Sequence, residues 1–306
     1  MRNRVVTFSR FGGPEVLQLI DEPLAEPGPG EVRIRMAFAG LNPVDYKIRR
    51  GGSQYDTTLP SRAGRELSGI VEATGPEVQR LAAGDAVFGS IPVGALADTV
   101  VARETHLAFV PEELPADVAG GLALAGQTAW DALGSQRLAA GDTIVVAAAA
   151  GGVGGILSQL AVHAGIRVIG SASSGNHAWL RSRRVEPVEY GDGFVDAVRT
   201  SLGGVPTAAF DLAGGTTVAQ LLELGIPAER INTNAMGGAA PAGVRTVGRG
   251  GPDPDVLGTL AALVVDGAVE VPIARRFRLD EVADAFRFLE QGHLRGKVVV
   301  GGSEYN

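Results

Sequence analysis

The sequence predicts a two-part α/β protein, a mostly β region followed by a doubly wound parallel sheet, and three observations carry that prediction. The first is organisation. Residues 1–110 are dense in short alternating or β-branched segments, whereas residues 126–267 alternate strand-like with helix-like segments, the pattern of a parallel sheet covered by helices. The second is the run VVAAAAGGVGGILSQLA at 145–161, where an uncharged β-branched stretch turns through glycines into an amphipathic helix. The third is composition: 306 residues, 45% of them hydrophobic, are enough for two cores.

Taken in order, Val5–Phe8, Val32–Ala37, Gly69–Thr74, Ala86–Phe88 and Asp98–Val101 read as strands. Turn chemistry separates them, as in Pro27-Gly28-Pro29-Gly30 and Ala83-Gly84-Asp85. Thr143–Ala147 reads as a strand. Gly155–Ala164 comes next as a helix with Ile156, Leu157, Leu160, Ala161 and Ala164 on one face, and Arg167–Gly170 is a second strand. DLAGG at 211–215 ends a fourth strand, and LGIPAERINTNAMGG at 224–238 holds the next. Val264–Val271 reads as an edge strand suited to pairing. Asp280–Gln291 is a helix capped by Asp280, stopped by Gly292 and burying Val282, Ala285, Phe286 and Leu289; Lys297–Val300 is a last strand.

Ala148, Gly151 and Gly154 stand three apart, giving A-x-x-G-x-x-G where a dinucleotide-binding turn usually reads G-x-G-x-x-G. Small residues here let the backbone turn, let a pyrophosphate reach amide N–H groups, and let the helix pack on its strand. Two plainer readings compete: an unliganded turn, and a membrane span, since no charged residue occurs between Asp142 and Arg167. Glycines in the middle, with Gln159 and His163 beyond them, argue against a span. A strand before, a helix after and a second strand about 20 residues on argue for a cofactor.

The segment after the second strand selects the dinucleotide. An acidic residue would favour NAD(H), but the chain reads GSASSGNH at 170–177, with Arg181, Arg183 and Arg184 shortly after. Hydroxyls, an amide, an imidazole and arginines suit a 2′-phosphate, so NADPH is the expected cofactor. A polar loop before a solvated basic helix is the plain alternative.

Other classes recede. A net charge of −7 without a basic stripe argues against nucleic acid. The complete absence of cysteine rules out disulfides, thiolate nucleophiles and Cys-ligated zinc. MRNRVVTFSRFGG has no apolar signal-peptide core, so the cytoplasm is the expected compartment and no membrane partner is expected. No G-x-S-x-G hydrolase elbow occurs.

Eight segments in order carry a family resemblance: Gly12-Gly13-Pro14-Glu15-Val16-Leu17, PGPGEVRIR at 27–35, GLNPVDYKIRRG at 40–51, GRELSGIVEATG at 64–75, GDAVFG at 84–89, GQTAWDAL at 126–133, AAGGVG at 149–154 and HLRGKVVV at 293–300. Together they resemble the zinc-independent quinone oxidoreductase branch of the medium-chain dehydrogenase/reductase superfamily. The resemblance implies a GroES-like catalytic domain over 1–125, completed by 268–306. It also implies a Rossmann NADP-binding domain over 126–267, with the active cleft between the two. Asn42 and Asp45 occupy the segment where a metal-ligand cysteine falls in the zinc enzymes, and Arg65 stands where they carry a histidine. His106, His163, His177 and His293 show no ligand spacing. No metal is expected, and without a Lewis acid simple alcohol chemistry loses its main support.

The implied reaction is NADPH-dependent hydride transfer to a small quinone or other conjugated carbonyl. Reduction of an enone or enoyl-thioester double bond is the alternative, and a non-catalytic NADPH-binding sensor or structural protein would use the same motifs. The family often dimerises, so a homodimer is expected. By resemblance, Asn42 and Thr128 lie at the nicotinamide side; as plain sequence they are a turn asparagine before Pro43 and a helix-interior threonine. Tyr55, in Gly51-Gly52-Ser53-Gln54-Tyr55, is the candidate proton donor, Tyr46 the second and solvent the third. Gly151, Gly152 and Val153 are expected at the pyrophosphate. Ser173, Asn176, His177 and Tyr190 are expected at the 2′-phosphate or adenine. Ala213 and Gly214 are expected beside the cofactor and Thr233 and Asn234 at the nicotinamide carboxamide, with Lys297 closing over the cofactor or standing at the surface.

Overall fold

The computed structural model describes residues 2–52, 57–236, 239–248 and 251–303. The chain begins with β1 (Arg2–Phe8), β2 (Gln18–Pro23), β3 (Glu31–Leu41), α1 (Pro43–Arg49), β4 (Ser61–Arg62), β5 (Glu66–Thr74), β6 (Ala86–Ser90), β7 (Thr99–Arg103) and β8 (Leu107–Phe109). Along β3, Val32, Ile34 and Met36 are buried at two-residue spacing, the period of a strand with one face on a core. Two short helices, α2 (Ala116–Gly120) and α3 (Ala123–Gly134), lead out of this region.

The alternating middle consists of β9 (Thr143–Val146), α4 (Gly152–His163), β10 (Arg167–Ser171), α5 (His177–Ser182), β11 (Glu186–Val188), α6 (Phe194–Ser201), β12 (Ala208–Asp211), α7 (Thr217–Glu223) and β13 (Ile231–Thr233). Its five strands are parallel, in the order β11-β10-β9-β12-β13. The order reverses around β9, and a doubly wound sheet binds its ligand at that switch point, beyond the carboxyl ends of the strands. Ile144, Val145 and Val146 are fully buried, as a strand covered on both faces requires.

The chain then forms α8 (Pro254–Val265), β14 (Ile273–Arg278), α9 (Val282–Glu290) and β15 (Lys297–Gly301). β15 returns to pair antiparallel with β3, Val298 opposite Leu41 and Val299 opposite Gly40. The seven-stranded sheet therefore reads β14-β15-β3-β5-β6-β8, with β7 also on β3, and a smaller sheet joins β2-β1-β4. Ile34, Met36, Leu67, Val87, Phe286 and Val298 share one core, so both ends of the chain contribute to it. Among the described residues, no helix is long and apolar enough to cross a membrane.

Two local expectations need correction. Val264–Val271 is not a strand: α8 runs to Val265, and Gly267 turns the chain with φ 73°. Asp253 starts that helix, its side chain accepting from the backbone N–H groups of Asp255 and Val256, with Pro254 in the first position. Nor does Asp280 cap the helix after it. Asp280 lies in a 3₁₀ turn and pairs with Arg278 at 3.0 Å, while Glu281 is the capping position of α9.

Candidate active site

The glycine run forms a cradle at the end of β9. Ala149 N–H donates to Ser171 O at 2.9 Å and Gly151 N–H to Ala148 O at 3.0 Å, which closes the turn. Ala148 has φ 57°, a left-handed conformation at the first small position of the motif. A side chain on Gly154 would place its Cβ 2.2 Å from Ala148 O, so helix and strand approach this closely only with glycine there. Gly151, Gly152 and Val153 are half-buried at the start of α4. The N–H groups of a first helical turn have no intrahelical acceptor, and the helix dipole adds positive character.

Ser173, Asn176 and His177 share the loop after β10. Asn176 N–H donates to Ser173 O at 2.8 Å, Asn176 Nδ2 donates to Ser173 Oγ at 3.2 Å, and His177 Nε2 lies 3.2 Å from Ala172 O. β11 pairs beside β10 with Val188 opposite Ser171, so Tyr190 leaves its strand next to this loop. Tyr190 is exposed and stacks on His293, its Oη 3.0 Å from His293 Nδ1. His293 comes from the loop before β15, and sequence reasoning passes it over because no ligand spacing marks it. Arg183 and Arg184 are turned elsewhere. They line a hollow of about 170 Å³ with Val162, His163, Gly267 and Ala268, at the far end of α4 from Gly152.

A second cluster lies beyond β12 and β13. Asp211 is fully buried; its Oδ1 accepts from the N–H groups of Ala213 and Gly214 at 3.0 and 2.8 Å, and its Oδ2 from Thr233 Oγ1 at 2.7 Å. One carboxylate thus shapes both loops. Asn234 donates from Nδ2 to Val247 O at 2.9 Å and accepts from Asn232 Nδ2 at 3.0 Å. Gly248, with φ 117°, is wedged between Asn234 and Thr128; a Cβ there would lie 2.5 Å from Asn234 Nδ2 and 3.2 Å from Thr128 Cγ2. Thr128 itself donates from Oγ1 to Leu124 O at 2.7 Å, one helical turn back.

Asn42, Glu66 and Lys297 form the third cluster. Lys297 is 4% exposed, and its three N–H donors reach Asn42 Oδ1 at 2.5 Å, Glu66 Oε1 at 2.8 Å and Leu41 O at 3.0 Å. Asn42 Nδ2 donates to Glu66 Oε1 at 2.7 Å, and Leu124 N–H, at the start of α3, donates to Glu66 Oε2 at 2.7 Å. The amide of Asn42 is therefore held on both sides. The stem of Lys297 crosses Gly152, where a Cβ would lie 2.8 Å from Lys297 Cδ. Gly296 N–H donates to Ala150 O at 2.9 Å, so the loop before β15 touches the cradle directly. Sequence reasoning misses Glu66, although an acid opening an otherwise apolar strand in GRELSG is a visible signal.

Asp45 adjoins this cluster. Its carboxylate accepts from Asn42 N–H at 2.8 Å. Burial pushes it up from its ordinary value near 3.8 to about 7, against the opposing pull of that N–H and of Lys297. Tyr46 packs on the β core, with the Arg50 guanidinium 5.1 Å from its ring centre. Tyr55 lies outside the described residues.

The cradle fits a dinucleotide: glycine at 154 lets α4 close onto the end of β9, and the half-buried Gly151, Gly152 and Val153 place the N–H groups of the first helical turn there. Zinc fits poorly. There is no cysteine, Glu66 and Asn42 are consumed by Lys297, and among the described residues no three His, Asp or Glu converge as a ligand group.

Residues 28–122 match the alcohol dehydrogenase GroES-like domain, and residues 175–300 match the zinc-binding dehydrogenase domain. A quinone oxidoreductase of Pseudomonas aeruginosa is 32% identical over 96% of this chain and 98% of its own length. The NADPH-dependent alkenal/one oxidoreductase of Arabidopsis thaliana chloroplasts is 31% identical over 96% of this chain and 78% of its own. Among solved structures, the quinone oxidoreductase from Coxiella burnetii superposes with a TM-score of 0.87 at 30% identity, covering 98% of this chain and 99% of that one. A mycobacterial protein complexed with NADPH gives 0.86 at 30%, with 98% and 99% covered. With a GroES-like β domain, a Rossmann-type sheet and relatives matched nearly end to end, the chain belongs to the quinone oxidoreductase family of the medium-chain dehydrogenase/reductase superfamily.

Proposed function

We propose that the protein is an NADPH-dependent oxidoreductase, working without zinc, that reduces a quinone or another conjugated carbonyl. The observation that carries the reading is the cradle of Ala148, Gly151 and Gly154 with Lys297 laid across it toward Asn42. Bound NADPH supplies the hydride, after which the acceptor needs a proton and a donor to its oxyanion. Gly151, Gly152 and Val153 hold the pyrophosphate through backbone N–H groups. Ser173, Asn176, His177 and Tyr190 receive the 2′-phosphate end. Ala213, Gly214, Thr233 and Asn234 flank the nicotinamide, with Thr128 across Gly248 from Asn234. Lys297 lays its stem against the cradle, its charge paired with Glu66, and fixes which way the Asn42 amide points.

Reduction of an enone double bond is the second reading, supported by the alkenal/one oxidoreductase and by a 2-methylene-furan-3-one reductase of Solanum lycopersicum, each matched over 96% of this chain. The reading extends to a homodimer. Support comes from the segment beside β13, where Thr233 N–H donates to Arg245 O at 2.8 Å and Val247 stays 41% exposed at the sheet edge.

The test monitors NADPH absorbance with a quinone, an α,β-unsaturated ketone and an enoyl thioester in parallel, and with NADH as control. Oxidation by a quinone or enone, faster with NADPH, supports the proposal and ranks the two readings. Tight NADPH binding with no turnover on any acceptor would move the protein to a sensor role.

A further inference from the structure

We propose that Glu270 is a positioning residue for the 2′-phosphate of NADPH, acting through Trp179 and Arg183 on the Ser173–His177 loop; the proposal rests on the NADPH reading above. The loop has internal order, with Asn176 bonded to Ser173 twice and His177 folded onto Ala172 O. It runs without a break into α5. A shift of α5 would therefore be passed directly to the loop, whose other end is tied by Ala172 N–H donating to Val188 O.

Leu180 anchors α5 in the core, and outside that core a single carboxylate oxygen ties Trp179 and Arg183 together. Glu270 Oε2 accepts from Trp179 Nε1 at 3.0 Å and pairs with Arg183 Nη2 at 2.8 Å. Trp179 lies in α5 and Arg183 four residues on, at the position that ends the helix. The indole sits against α4 where Gly155 lacks a side chain; a Cβ there would lie 3.3 Å from Trp179 Cη2.

Glu270 is itself held from α4. Its N–H donates to Gln159 Oε1 at 2.8 Å, and its carbonyl accepts from Gln159 Nε2 at 2.9 Å. Gln159 is buried. Beside the β9–β10 pairing that fixes the strands, Glu270 thus adds one side-chain link from α4 to α5. NADPH must satisfy both places at once, whereas NADH has no phosphate to place at the second. Arg183, one of the cations that come after the loop, is committed to Glu270. The loop offers hydroxyl, amide and imidazole groups, whose hydrogen bonds weaken steeply with misalignment.

The test measures dissociation constants for NADPH, NADH, 2′,5′-ADP and 5′-AMP by titration calorimetry on the full chain. Glu270→Ala is expected to weaken NADPH and 2′,5′-ADP by about ten-fold, the scale of one or two phosphate hydrogen bonds, and to leave NADH and 5′-AMP within about two-fold. Glu270→Gln keeps an oxygen for Trp179 and should recover most of the loss. Trp179→Phe removes the N–H donor together with part of the ring and should shift the same ratio in the same direction, which keeps the proposal testable if Glu270→Ala does not fold. Equal weakening of both dinucleotides, or no change in either, would overturn it. If the unaltered protein failed to prefer NADPH, the cofactor reading would fall instead.

Discussion

Lys297 Nζ lies 2.5 Å from Asn42 Oδ1, so a side chain opening the last strand orients an amide 255 residues earlier. The same ammonium neutralises Glu66, which is fully buried. Lys297→Met should therefore destabilise the fold by about 3–5 kcal/mol, because it leaves a buried carboxylate uncompensated. Adding Glu66→Gln should restore a substantial part of that loss. Urea unfolding of the single and double variants checks this, and an undiminished loss in the double variant would show that the ion pair is not the cause.

Asn42→Ala addresses the reacting end. Turnover should fall by at least about ten-fold, while NADPH affinity stays within about two-fold, the signature of a group that orients rather than binds. Steady-state kinetics with a separate binding titration measure the two effects. Unfolding in place of slow turnover would reduce Asn42 to a brace for the turn before Pro43.

Asp45 makes a pH prediction. Its folded-state carboxyl keeps the proton up to about pH 7, whereas the unfolded chain loses it near 3.8. Below about pH 4 both states are protonated and the shift has no effect on stability. As pH rises from there to about 7 the unfolded state ionises first, so this group progressively lowers stability. Asp45→Asn keeps an acceptor for Asn42 N–H and removes the titration. Its melting temperature relative to the unaltered protein should climb between about pH 4 and pH 7 and then level off; a constant difference across that range would refute the assignment.

Ala148 holds a left-handed conformation, which costs an L-residue roughly 1–2 kcal/mol. Ala148→Gly should be neutral or mildly stabilising, since relief of strain is offset by the flexibility glycine gives the unfolded chain. Ala148→Val should lose about 2 kcal/mol or more, a β-branched side chain being least tolerated there. Thermal melts of the pair separate strain from packing.

The cofactor preference has its own test. Ser173→Asp with His177→Ala should weaken NADPH and spare NADH, since a carboxylate repels the 2′-phosphate and favours a ribose hydroxyl. Unchanged preference would remove the loop from the selectivity site.

Short-range features are legible in the chain: the strands, the small-residue turn at Ala148–Gly154 and the helix after it all derive from periodicity and turn chemistry within a dozen residues. Val264–Val271 fails because a short apolar run reads equally well as strand or helix; the Asp253-Pro254 start of α8 is the local signal that decides it. The arginines after β10 read in sequence as one basic group, but helical spacing sends Arg183 to Glu270, which lies 87 positions on and offers no local clue. The partners of Asn42 are beyond reach for the same reason, since Glu66 and Lys297 are 24 and 255 positions away.

The pairing of β3 with β15 also has a consequence for synthesis. The parallel sheet from β9 to β13 is contiguous in the chain, so it can close while the ribosome is still making the remainder. The Phe38–Leu41 stretch of β3 has to wait for residues 298–301, its hydrogen-bonding groups open until that strand is made. A nascent chain stalled before residue 298 would carry a finished nucleotide-binding half beside an unsealed sheet, and that exposed margin is where a chaperone or a misplaced strand would first take hold.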